Sequence, residues 1–176
     1  LYMRTEGDTA AHFGRGGKVH VLEFLSKSIR NVTRSTFSSE LHACCDSADL
    51  GILIILMLHE LAAGPVSKSQ ARTLRESGGY ALPMTIQIDA LSVYAAVTAT
   101  YVKAPAEKGL MSHVQFVREL LDSHVLQALM WIDTRDMAAD GLTKGSVDRN
   151  GLHMIMDGYQ EYHHESKTWT AKIHKS

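Results

Sequence analysis

At 176 residues, with 45% hydrophobic and 21% charged side chains, the chain can bury one substantial core and does not have the composition of a disordered protein. Lys plus Arg number 18 against 19 Asp plus Glu, a formal charge of −1, which excludes a globally basic nucleic-acid binder. Local basic clusters remain at Lys27–Arg34 and at Lys167, Lys172 and Lys175, and the adjacent Cys44 and Cys45 exclude a disulfide framework, so a reducing, intracellular compartment is expected.

The chain opens on Leu1 with neither an initiator Met nor a signal-peptide pattern, which reads as a cut N-terminus. Leu1 to Thr5 suits one strand, Glu6 to Gly17 a Gly-rich charged loop, and Val19 to Leu25 a second strand by its early alternation. Ser26 to Arg34 is a basic connector, and Asn31-Val32-Thr33 matches a glycosylation tripeptide common by chance. Ser35, Thr36, Ser38 and Ser39 offer N-cap hydroxyls for a long helix with Glu40 in its first turn. Leu41, Cys45, Ala48, Ile52, Ile55, Leu56 and Leu58 recur at helical spacing, and Gly64-Pro65 ends the helix. The apolar run Gly51 to Leu58 is far shorter than the roughly 20 residues of a membrane span, so a buried helix and a chain that does not span a membrane are expected.

Ser67 to Glu76 reads as a short polar helix stopped by Gly78-Gly79. Thr85 to Asp89 is a strand running directly into a helix from Leu91 to Ala99. Ser112 is placed to cap a helix through Leu121 with Val114, Val117, Leu120 and Leu121 on one face. Leu126 to Ile132 is a buried strand, Asp136 to Leu142 a short helix, Asp148 to Tyr162 another, and 163–176 a polar tail after a domain of 1–162. The class is mixed α/β, whose open sheets carry chemistry at the carboxyl ends of strands. Asp89 ends such a strand and Asp140 follows another, while Glu40 lies in the first turn of the long helix; acids at helix N-termini are also placed there by the helix dipole alone. Grouped carboxylates of this kind can hold two hard cations about 4 Å apart, which favours magnesium.

Four stretches carry a resemblance. Arg34 to Leu41 (RSTFSSEL) looks like the Ser/Thr-rich, Glu-ending start of the long helix in the ribonuclease H domains of copia-type retrotransposon polyproteins. Ile86 to Ser92 (IQIDALS) resembles that family's strand with an Asp followed by a small-residue helix. Phe116-Val117-Arg118-Glu119 is similar to its His-Phe-x-Arg-Glu helix, and Ile132 to Lys144 resembles its closing Ala-Asp-x-x-Thr-Lys signature. The resemblance implies a five-stranded ribonuclease H-like mixed sheet flanked by helices, and magnesium-dependent cleavage of the RNA strand of an RNA–DNA hybrid. By residue match, Glu40, Asp89 and Asp140 are three of the family's four metal-holding acids. The fourth lies on the family's first strand, which has no match here; Glu6 and Asp8 are poor substitutes. Ser112-His113 also stands where the family has Lys-His.

Weaker signals compete with bland readings. His42 and Cys45 could pair on a metal, but a half-buried helix face explains both; His163-His164 could bind metal adventitiously. The Met and Leu stripe from Leu53 to Leu61 reads as core rather than as a cofactor surface, and Gly14 to Gly17 as a hairpin loop rather than a phosphate cradle. The alternative to a nuclease is a captured, non-catalytic ribonuclease H-like fold that serves as a structural subunit with protein partners.

Overall fold

The computed structural model describes residues 1–4, 16–26, 35–101, 108–143, 145–146 and 148–171. Glu6, Asp8, Gly14, the Lys27–Arg34 cluster, Lys144, Lys172 and Lys175 lie outside the described residues. The chain divides into two compact units, one made of Leu1–Asn31 with Trp131–Thr168, the other of Val32–Met130 with Trp169–Ser176. The architecture is mixed α/β.

The second unit is built on helix α1, Thr36–Ala63. Of the hydroxyls expected to cap it, Ser35 does so, its oxygen accepting the Ser38 N–H at 3.2 Å. Leu41, Cys44, Cys45, Ala48, Ile52 and Ile55 are buried and, the adjacent cysteines aside, three or four residues apart, so one face of α1 forms the core. The helix ends where Gly64 donates its N–H to the Glu60 carbonyl at 2.9 Å. Helix α2, Lys68–Ser77, follows with a capping box in which Ser67 and Gln70 satisfy each other's backbone N–H groups. It buries no residue, so its caps carry an unusual share of its stability. Gly78 then turns with φ 70°, and a Cβ there would stand 2.5 Å from the His124 carbonyl oxygen. Replacing Ser67 by Ala is expected to weaken α2 by about 1 kcal/mol, read as faster amide exchange confined to Lys68–Ser77.

Strand β3, Thr85–Ile88, leads through Asp89 and Ala90 into α3, Leu91–Thr98. A 3-10 turn at Lys108–Leu110 runs straight into α4, Met111–Asp122. Ser112 therefore lies inside the helix rather than capping it, and its hydroxyl donates to the Gly109 carbonyl at 3.1 Å. Val114, Val117, Leu120 and Leu121 are buried as their spacing indicates. Strand β4, Ala128–Ile132, adds the fully buried Leu129.

In the first unit, β1 (Tyr2–Arg4), β2 (Gly16–Val21) and β5 (Tyr159–Glu161) form an antiparallel sheet in the order β1–β2–β5. Tyr2 pairs with Val21 and Gly16 with Glu161. The helix expected over Asp148–Tyr162 is only α6, Asn150–Met156. Gly158, at φ 86°, turns the chain, its carbonyl accepts the Val19 N–H at 2.9 Å, and β2 recruits the following residues as a strand. The hydroxyls of Tyr2 and Tyr162 meet at 3.2 Å, and Tyr162 donates to the buried Gln160 Oε1 at 3.0 Å. The residues read as a short helix from Asp136 are a 3-10 turn, Thr134–Asp136, then α5, Asp140–Thr143.

The stretch read as a polar tail carries a strand, β6, Ser166–Thr170, in a second sheet of order β3–β4–β6. Trp169 packs against the core of the Val32–Met130 unit, an apolar anchor that an otherwise polar segment conceals. Two three-stranded sheets thus stand among the described residues where the resemblance implies a single five-stranded sheet.

Candidate functional site

Glu40 lies in the second turn of α1, half-buried, rather than in its first. Asp89, also half-buried, occupies the junction between β3 and α3, where Ala90 accepts the N–H groups of Val93 and Tyr94 at 3.1 Å each. Asp140 opens α5, its own N–H donating to the Met137 carbonyl at 3.1 Å. Glu40 and Asp89 belong to the Val32–Met130 unit and Asp140 to the other. All three offer the hard oxygen donors magnesium takes. Among the described residues, no three His, Cys, Asp or Glu side chains are grouped to hold a metal ion.

The Phe116-Val117-Arg118-Glu119 stretch is structural in this fold. Val117 is fully buried, and the Arg118 guanidinium donates to the Ala99 carbonyl at 2.6 Å, tying α4 to the end of α3.

Two carboxylates that motif reading passed over are firmly engaged after β4. Asp133 accepts Arg135 through Nε and Nη2, at 2.8 Å each. This side-chain pairing first, and the Arg135 backbone N–H second, hold the Asp133 carboxyl far below the usual carboxylate range. Asp136 is buried and accepts the backbone N–H of His163 at 3.1 Å and of His164 at 2.9 Å, and faces His164 Nδ1 at 3.0 Å. Burial alone would push the Asp136 carboxyl up; the His164 ring and the two backbone donors outweigh it and leave it below its usual value of 3.8. The His163-His164 pair is therefore tied to an internal carboxylate rather than hanging in a loose tail.

A solvent-open cleft of about 330 Å³ lies between α1 and α4, lined by His42, Cys45, Asp46, Asp49, Ser112, His113 and Phe116. The rings of His42 and His113 meet edge to face, their centroids 4.5 Å apart at 78°. Cys45 is not His42's partner here: its thiol is directed at the His113 carbonyl oxygen at 3.8 Å. Burial, and then the charges of Asp49 and Asp46, push that thiol up to about 12, which keeps it protonated. His113 carries no spacing relation to His42 in sequence; only the packing of α4 on α1 joins them.

The Leu53–Leu61 stripe is core only in part: Ile55 is buried, and Leu56 and Leu58 are half-buried. Leu53, Met57 and Leu61 are 58%, 64% and 83% exposed, because the buried face of α1 turns through Gly51, Ile52 and Ile55 instead. By length and composition alone, α1 is the one helix among the described residues apolar enough to cross a membrane, although its opposite face packs into the core. Comparison with protein-family models, with curated proteins and with solved structures yields no match.

Proposed function

We propose that this chain is a ribonuclease H-like domain of retrotransposon type that cleaves the RNA strand of an RNA–DNA hybrid, with Glu40, Asp89 and Asp140 as its acidic residues. The observation that carries the reading is the placement of Asp89 at the carboxyl end of β3, where the strand turns directly into α3. That is where α/β sheets offer side chains to ligands. The order of the four motif-like stretches from Arg34 to Lys144 supports the same reading. Magnesium bound from solution is the Lewis acid such chemistry needs, and by the resemblance these three carboxylates would be among its oxygen donors. With a net charge of −1, hybrid recognition depends on local rather than global basicity.

The test is magnesium-dependent cleavage of an end-labelled RNA–DNA hybrid by the folded chain and by Asp89→Asn. Cleavage is expected, with Asp89→Asn slower by a factor on the order of 10²–10³ and unchanged in melting temperature. No cleavage by correctly folded wild-type protein, or equal cleavage by the variant, overturns the nuclease reading or the role of Asp89 respectively.

The second reading, a non-catalytic fold kept as a structural subunit, is favoured by one observation: the exposed apolar stripe Leu53, Met57 and Leu61 along α1. Contiguous apolar surface of this kind suits protein contact, and this reading has no need of the three acids.

A further inference from the structure

We infer that the cleft between α1 and α4 is a binding site for a divalent cation of the borderline, imidazole-seeking class, with zinc as its representative, held by His42 and His113. The inference is independent of the nuclease reading, since it uses none of Glu40, Asp89 or Asp140.

The placement starts in sequence. His42, Asp46 and Asp49 are four and seven residues apart, so helix α1 sets them on one face, one turn after another. The packing of α4 on α1 through buried Val114 and Val117 then brings His113, from the first turn of α4, against His42. Two imidazoles from two different helices thus share one open cleft with two carboxylates. Both histidines are only half-buried, so their rings are in reach of solvent and of an ion arriving from it.

Chemistry selects the class of ion. Imidazole nitrogen suits zinc, copper and nickel, whereas magnesium and calcium take oxygen donors. The carboxylates of Asp46 and Asp49 bring negative charge to the cleft, which favours a cation there. The Cys45 sulfur is engaged with the His113 carbonyl oxygen, which leaves the two imidazoles as the donors of this proposal. In their present edge-to-face contact the rings do not converge on a point, so binding requires rotation of both side chains into the cleft, where about 330 Å³ is available. The remaining tetrahedral positions fall to water, making this an open site rather than a closed structural one.

The test is calorimetric titration of tag-free protein with zinc chloride. The comparison uses His42→Gln, His113→Gln and, as a control, a His163→Gln/His164→Gln double variant. One zinc per chain is expected, with binding weakened about ten-fold or more in each cleft variant and unchanged in the control. Copper(II) electron paramagnetic resonance is expected to show coupling to two imidazole nitrogens in wild type and to one in either cleft variant. Should the cleft variants misfold, wild-type imidazole resonances decide: zinc must shift the rings of His42 and His113 and leave that of His59 on α1 in place. Absence of binding, binding undiminished in both cleft variants, or binding lost only in the control overturns the proposal.

Discussion

Replacing Asp136 by Ala is expected to destabilise the unit formed by Leu1–Asn31 and Trp131–Thr168 by about 2–4 kcal/mol. The buried carboxylate is the acceptor for two backbone N–H groups and sits 3.0 Å from the His164 ring, so truncation strands several donors at once. Unpaired buried donors each cost about 1–3 kcal/mol, and a charge-assisted bond is worth more than a neutral one. Asp136→Asn separates these effects: with its amide oxygen in place of Oδ2 it keeps both backbone N–H groups and turns its NH₂ toward His164 Nδ1, so an intermediate loss is expected. The folded carboxyl titrates below its usual value of 3.8, so its contribution is full above that value and is lost as pH falls through the lowered folded value. In Asp136→Ala that acid-side slope is expected to be shallower. Urea unfolding at neutral and acid pH, with hydrogen exchange at Tyr159–Glu161 and Ser166–Thr170, measures both. Unchanged exchange in these strands would show that the carboxylate does not hold this segment.

The second large effect lies in the other unit. Leu129 is fully buried in β4, the middle strand of the β3–β4–β6 sheet, and belongs to the core with Leu41, Val93, Val117 and Leu121. Leu129→Ala removes most of its apolar contact and leaves a cavity lined by neighbours held on separate elements, which cannot collapse together. A loss of about 3–5 kcal/mol is expected. Leu61→Ala, at 83% exposure on α1, is the matched control, with an expected change within about 0.5 kcal/mol. Urea midpoints for the two variants decide whether the stripe on α1 is surface. A large loss in Leu61→Ala would return it to the core.

The chemistry-bearing residues divide along the same line. Asp89 was legible because a strand pattern, TIQI, runs straight into a helix pattern, and the residue between them has only one place to be. Asp136 was not legible as a structural keystone. Its donors, His163 and His164, are 27 and 28 residues away, and nothing local announces a buried carboxylate among the many acids of this chain. The His42–His113 pair was half legible: helical spacing pointed to Cys45 as the partner, and the fold replaced it with a ring from α4.

Local physics, acting over one or two turns, is written in the sequence by itself. The Ser35 and Ser67 caps, the Gly64 and Gly78 stops, and the buried stripe of α4 all follow from hydrogen bonding and periodicity within a few residues. Only the tertiary structure decided the rest. Tyr159–Glu161 is a strand rather than the end of a helix because β2 offers it an edge, and Ser166–Thr170 is a strand rather than a tail because the second sheet accepts it and a core accepts Trp169. The exposed face of α1 carries Leu, Met and Leu because burial is set by which neighbours reach the helix, and hydrophobicity alone cannot say which side they come from.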